Sequence, residues 1–259
     1  MLFDSHTHVN FKDFDEDRDA VILRCLADDV WMINVGSDAV NSQKAIDIAH
    51  QYEKGVYASV GIHPNDSDDA DFSAIENMAK DDKVVAIGET GLDYYCSQAS
   101  EKLKGESVKK EQKELFMKHI ELSQKVKKPL IIHCRDAHHD LISILNSYSK
   151  IPNSACGVMH FFCGTAEEAL AYCNLGFYIS FSGVVTFARD YDEAVRAVPL
   201  ERILVETDAP FVAPVPFRGK RNEPRYVEYV ARKIAEIKGL SFEEVAEQTV
   251  KNARSLFKV

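Results

Sequence analysis

The sequence predicts an α/β fold, a TIM-type (β/α)8 barrel with an extra C-terminal helix. Three observations point there. Short apolar runs alternate with amphipathic stretches, eight runs can be counted, and 259 residues is the length that one such barrel uses. The strand-like runs fall at 2–9, 30–36, 56–62, 84–89, 129–134, 156–160, 177–182 and 202–207. Each is rich in Val, Ile or aromatic residues, as parallel strands covered on both faces require. Between them, helical periodicity predicts helices over 14–28, 41–54, 70–81, 108–127, 137–149 and 165–175. The tail from 222 to 257 reads as two further helices, with Ser241 and Glu244 spaced as a capping box for the last. No Pro/Gly-rich linker or internal repeat interrupts the pattern, so residues 1–259 read as one domain. The polar segment 97–113 follows the fourth strand and reads either as a solvated surface insertion or as a flap near the mouth of the site.

Composition narrows the function classes. A chain that is 46% hydrophobic and 28% charged is neither disordered nor low-complexity. Its net charge of −10 argues against a duplex-coating protein, though not against an enzyme that grips nucleic acid through divalent cations. The cysteines at 25, 96, 134, 156, 163 and 173 form no C-x-x-C pair, and read as reduced thiols. The opening Met-Leu-Phe-Asp-Ser-His has no basic leader region, and no apolar run nears the ~18 residues of a membrane span. A cytoplasmic protein without membrane contact or an obligate protein partner is the expectation.

The strongest local signal is Asp4-Ser5-His6-Thr7-His8. Alternation along a strand puts Asp4, His6 and His8 on one face, the imidazoles about 6.6 Å apart along the strand. Two such rings can converge on a divalent ion, with the buried carboxylate beneath them as an orienting partner. Active sites of (β/α)8 barrels form at the carboxyl ends of the strands. Here those ends repeatedly carry metal-competent groups: His6 and His8, then His63, Glu89, His133, His160, and finally Glu206 and Asp208. Apolar strands that finish in such groups are hard to explain as core packing. Four imidazoles with Glu89 and Asp208 exceed the needs of one tetrahedral zinc and suit two ions sharing a bridging carboxylate. Two divalent ions, whether Mg2+, Mn2+ or Zn2+, can clamp the attacking and leaving oxygens of a phosphoryl displacement.

Eight ordered motifs then carry a resemblance: DSHTH, GIHP, GETGLDYY, PLIIHCRDA, HFFCG, ISFSG, VETDAPF and RGKRNEP. Over essentially the whole chain they resemble the TatD family of metal-dependent deoxyribonucleases. The resemblance implies a barrel metallohydrolase that cuts DNA, single-stranded or at a duplex end, typically from the 3′ end. It implies that His6, His8, Glu89 and Asp208 hold one ion, and that Glu89, His133 and His160 hold the second. Two departures stand out: His160-Phe161-Phe162-Cys163-Gly164 replaces the family's His-Cys-Phe-Ser-Gly, and 97–113 is longer than usual.

Roles follow for the remaining residues. Water activated by the ions is the expected nucleophile, with Asp208 and Glu89 as the catalytic carboxylates and Asp208 accepting its proton or fixing its orientation. Arg135, two residues past a ligand, can hold a phosphate oxygen bidentately or pair with Asp136 at the surface. His63 is a candidate contact to substrate or a bound water, with a capped strand-end histidine as its other reading; Asp93 and Tyr94 are candidate substrate contacts at the mouth, with buried support as theirs. Arg218, Lys220 and Arg221 form a compact basic cluster beyond Asp208, able to anchor DNA phosphates or to pair with Glu223. Related barrels cleave amides and esters, so a D-aminoacyl-tRNA deacylase is the alternative. Asp13, Asp15 and Asp17 resemble a calcium loop but lack its Gly and its closing Glu, and read as the acidic first turn of a helix. His138 and His139 read as a helix-start pair facing solvent and neighbouring turns. Neither phosphate-binding glycine loops nor a G-x-S-x-G elbow occurs.

Overall fold

A computed structural model describes residues 1–69, 71–95, 105–149 and 156–259. The eight strands are β1 (Leu2–Thr7), β2 (Val30–Val35), β3 (Val56–Val60), β4 (Val84–Asp93), β5 (Leu130–Arg135), β6 (Gly157–Met159), β7 (Tyr178–Phe181) and β8 (Ile203–Val205). They pair in parallel in strict chain order, β1 to β8. Backbone hydrogen bonds from Asp208 to the His6 carbonyl (2.9 Å) and from His8 to the Ala209 carbonyl (2.7 Å) bring the two ends of the sheet together. The result is the TIM barrel that the sequence predicts.

The helices are α1 (Arg18–Ala27), α2 (Ala39–Ala49), α3 (Phe72–Met78), α4 (Glu106–Val126), α5 (His138–Ser149), α6 (Ala166–Asn174), α7 (Asp192–Ala197), α8 (Val227–Lys238) and α9 (Phe242–Phe257). Their apolar faces cover the outside of the strands in one continuous core. A second core fills the barrel from below. There Val250, Ala253, Leu256 and Phe257 of α9 meet Phe3, Ile33, Ala86, Ile131, Val158 and Leu204, with Phe3 and Phe257 stacked at 6.1 Å. Each large side chain buried this way is worth about 1.5–3 kcal/mol. The extra helix therefore plugs the amino-terminal end, and Ser241 and Glu244 form the capping box that starts it. The interior opens at the other end, where the strands finish.

Strand β4 runs four residues past its expected end. Gly88 and Gly91 allow this: a Cβ at Gly91 would stand 2.0 Å from the His133 carbonyl oxygen, and one at Gly88 2.4 Å from that of Ile131. Helix α4 then ties the ends of β3 and β4 together. Its buried Gln112 accepts from the Asp93 backbone N–H (3.0 Å) and donates to the Pro64 carbonyl (3.0 Å). Two turns on, His119 Nε2 accepts from the Ile62 N–H (3.1 Å) while Nδ1–H donates to the Leu115 carbonyl (2.9 Å).

Several local expectations are corrected. Helix α1 starts at Arg18, so Asp13 and Asp15 precede it; Asp17 occupies the cap position without a side-chain capping bond, its carboxylate taken by Arg221. Helix α7 was not foreseen, because six residues give no readable period. Helix α3 is shorter than 70–81. Of segment 97–113, residues from Glu106 onward belong to α4, while 96–104, with Cys96, lie outside the described residues. Among the described residues the other five cysteines are free thiols, and no helix is long and apolar enough to cross a membrane.

Burial pushes His119 down to about 4, and only its neutral form can accept the Ile62 N–H. Below pH 6.5 the unfolded chain binds a proton at His119 that the folded chain refuses, so stability is lost as pH falls from 6.5 towards 4. Urea unfolding at pH 7.5 and pH 5 should show a loss that is smaller in His119→Gln than in the parent by about 2 kcal/mol. Equal losses in the two proteins would contradict this role.

Candidate metal centre

All six predicted ligands converge at the open end of the barrel. Glu89, on β4, is buried and stands between two groups of imidazoles. Its Oε2 faces His6 Nε2 (3.5 Å) and His8 Nε2 (3.7 Å) from β1. Its Oε1 faces His133 Nδ1 (3.1 Å), His160 Nε2 (3.3 Å) and His63 Nε2 (3.7 Å) from β5, β6 and β3. Asp208, past β8, closes the first group, with Oδ1 3.4 Å from His8 Nε2 and 3.7 Å from His6 Nε2. It does so from the left-handed region (φ 55), which Asp tolerates better than most residues. Donor atoms of His6, His8 and Glu89, and separately of Glu89, His133 and His160, lie close enough together to share an ion.

The outer nitrogens of His8, His160 and His133 are held so that the inner ones face the centre, whereas His6 Nδ1 is buried without a partner among the described residues. His8 Nδ1 lies 3.0 Å from the Val35 carbonyl, and His160 Nδ1 lies 2.9 Å from Glu206 Oε1. His133 Nε2 lies 3.3 Å from Asp93 Oδ2. Each partner accepts only, so in the neutral ring that a cation would select, the proton sits on the outside and a lone pair on the inside. His6 and His8 then face one another Nε2 to Nε2 at 3.0 Å, an arrangement that suits a shared cation. His63 is the exception: its Nδ1 accepts from the Asn65 N–H (3.1 Å), which leaves Nε2–H pointing inward as a donor.

Electrostatics favour positive charge at this point. Burial alone would lower His160, but Glu206 and Glu89 outweigh it and hold the ring well above its usual range. Burial, with the His160 charge beside it, pushes His6 down to about 3. Burial would raise Glu89, yet the surrounding imidazoles, His160 and His63 foremost, hold it well below the usual carboxylate range. The donor set of imidazole nitrogens and carboxylate oxygens therefore fits divalent ions such as zinc or manganese.

A cavity of about 820 Å3 opens over these groups, lined also by Arg135, Tyr95, Phe11 and Phe211. Arg135 turns into it, its guanidinium 3.5 Å above the Tyr95 ring. Other expected mouth residues lie elsewhere. Asp93 is buried behind His133, and also accepts from the Asn65 amide (3.0 Å) and the Tyr95 N–H (3.0 Å). Because β4 continues to Asp93 with strand alternation, Tyr94 points outward, and its hydroxyl donates to Asp140 (3.0 Å). Arg218 lies over Phe187 at 3.7 Å, Lys220 is exposed, and neither lines the cavity. Arg221 pairs bidentately with Asp17 (2.8 and 2.7 Å), which turns this loop back towards α1. Asp4 touches neither imidazole: its carboxylate accepts from the Thr207 backbone and hydroxyl and from the His6 N–H, locking β1 to the end of β8. His139 faces solvent as expected, whereas His138 turns inward to the Tyr172 hydroxyl at 3.0 Å.

Sequence reasoning placed Glu206 among the strand-end groups but gave it no role. It is fully buried, and its Oε1 also accepts from the Phe161 N–H at 2.8 Å. The available signal was its place two residues before Asp208 on an apolar strand. Missed altogether was Asn222, whose amide spans the carbonyls of Thr207 (2.8 Å) and Phe211 (2.6 Å) and so fixes the loop carrying Asp208.

The TatD related DNase family matches residues 3–258. The metal-dependent hydrolase YabD of Bacillus subtilis is 43% identical over 100% of both chains. The 3'-5' ssDNA/RNA exonuclease TatD of Klebsiella pneumoniae is 32% identical over 99% of this chain and 97% of its own. Among solved structures, the TatD homologue YjjV of Escherichia coli superposes with a TM-score of 0.87 at 26% identity, covering 100% of this chain and 98% of that one. The chain thus belongs to the TatD-related DNase family and is a metal-dependent hydrolase.

Proposed function

We propose that residues 1–259 act as one cytoplasmic domain that hydrolyses phosphodiester bonds in DNA from the 3′ end, using two divalent ions bridged by Glu89. The observation that carries this reading is the splayed carboxylate of Glu89, one oxygen facing His6 and His8 and the other facing His133 and His160. His6, His8, Glu89 and Asp208 would hold one ion, and Glu89, His133 and His160 the other. When bound, such ions supply positive charge to a phosphoryl oxygen and make water acidic enough to attack near neutral pH. The family match and the name of the Klebsiella relative, a 3'-5' ssDNA/RNA exonuclease, support nucleic acid as the substrate.

The chain's own groups do the rest. Asp208, whose side chain is 16% exposed against 6% for Glu89, is the carboxylate best placed to take the proton of the attacking water. Glu206 and Asp93 hold His160 and His133 in register. Arg135, flattened on Tyr95, presents its guanidinium to a phosphate oxygen, and the inward Nε2–H of His63 donates to another. Arg218 and Lys220 lie outside the cavity, and phosphates further along the strand are their natural partners.

His6→Ala combined with His8→Ala should abolish hydrolysis and lower the metal content measured by mass spectrometry, with the circular dichroism spectrum unchanged. Full metal retention would refute the assignment of the first group. Arg135→Ala should raise KM and lower kcat/KM on DNA by roughly ten- to a hundredfold, the cost of one charge-assisted contact. A panel of single-stranded DNA, duplex DNA, RNA and D-aminoacyl-tRNA, assayed with Mg2+, Mn2+ and Zn2+, tests the substrate class. Intact DNA in every metal alongside a cleaved aminoacyl ester would replace the nuclease reading with the deacylase one.

A further inference from the structure

Two aromatic walls flank the ligand cluster. On one side Phe11 follows β1 and Phe211 follows β8, their ring centroids 6.2 Å apart and nearly perpendicular. His8 stacks on Phe11 at 4.4 Å, so this wall abuts a ligand imidazole directly. Phe211 stands three residues past Asp208 and is 49% exposed. On the other side Tyr95 follows β4 and is 41% exposed, with the guanidinium of Arg135 against its face. Arg135 in turn stands two residues past His133. Because the strands circle the barrel in chain order, the β4–β5 end stands across from the β8–β1 end. All four residues line the same cavity as Glu89 and Asp208.

We infer that these walls grip the two nucleobases that flank the scissile phosphate, one base on Phe11–Phe211 and the other on the Tyr95–Arg135 pair. The inference rests on the phosphodiester reading and adds to it how the bases of the substrate are held. A phosphodiester carries one nucleoside on each side, which matches a ligand cluster with one stacking surface on each side. Aromatic rings and guanidinium planes stack on any base, so such a site is tolerant of sequence. Half-exposed aromatic rings at a cavity mouth also mark a surface that a ligand covers.

Charge at the mouth agrees with the single-stranded substrate named for the Klebsiella relative. Among the described residues Arg135 is the one Lys or Arg lining the cavity, in a chain of net charge −10. Binding along a duplex rests on many phosphate contacts, which this mouth does not offer. Bases within a duplex also have both faces occupied by their neighbours. A single-stranded end leaves those faces free, and a cavity of about 820 Å3 admits only a short length of it.

The test crosses variants with base-deleted substrates. Single-stranded oligodeoxynucleotides are prepared intact, or with an abasic nucleotide on the 3′ or the 5′ side of the first cleaved bond. Phe211→Ala and Tyr95→Ala should each lower kcat/KM on the intact strand by roughly ten- to a hundredfold. The loss from one variant should vanish when the base on one side is missing, and the loss from the other variant when the opposite base is missing. Independently of turnover, 2-aminopurine at the position that senses Phe211 should be quenched on binding in the presence of a chelator, and less so with Phe211→Ala. Phe211→Leu, which keeps the apolar bulk, should behave like Phe211→Ala. If the parent cleaves the strands but both variants lose the same activity on intact and abasic substrates, the walls do not stack bases and the inference falls. If the parent neither binds nor cleaves any oligonucleotide, the phosphodiester reading itself fails and takes the inference with it.

Discussion

The structure depends on one carboxylate placed where a carboxylate is expensive. Glu89 is buried at the top of the barrel among five imidazoles from the ends of four strands, reached through both of its oxygens. A buried anion is tolerated only with compensating positive charge or donated hydrogen bonds. Everything around Glu89 supplies one or the other. The glycines on either side let β4 press against β5 so that His133 arrives at Oε1. The bond from Asp208 to the His6 carbonyl brings β8 against β1, so that Asp208 and the His6–His8 pair meet on the Oε2 side.

That placement explains the division of labour between the ends of the barrel. The amino-terminal end is closed by α9 with aromatic and aliphatic packing, and contributes stability. The carboxyl-terminal end buries polar groups instead, several of them tied outward: His8 to Val35, His160 to Glu206, His133 to Asp93, and the Asp208 loop to Asn222. These outer partners fix ring orientation and leave the inner nitrogens bare. Helix α4 belongs to the same scheme, since Gln112 and His119 grip the backbone on either side of His63 and at Asp93.

The proposed ligands were legible because each closes an apolar run, and strand ends in a barrel share one rim whatever the details of packing. What depended on strand parity or on contacts between distant loops was not legible. One extra stretch of β4 decided that Asp93 faces inward behind His133 while Tyr94 faces Asp140. Chain order put Arg218 and Lys220 just beyond Asp208, but the pairing of Arg221 with Asp17 turned that loop away. Glu206 carried a visible signal, a carboxylate on an apolar strand, yet its partner His160 lies on another strand. Phe11 and Phe211 meet only because the barrel closes, and no spacing along the chain announces that.

The central claim is that Glu89 joins two ion positions into one site. Metal-stripped protein titrated calorimetrically with Mn2+ or Zn2+, and checked by mass spectrometry after dialysis, measures this directly. The account predicts two ions per chain for the parent and the loss of both high-affinity positions in Glu89→Gln, with the fold retained. Two ions bound with parental affinity by Glu89→Gln would contradict it.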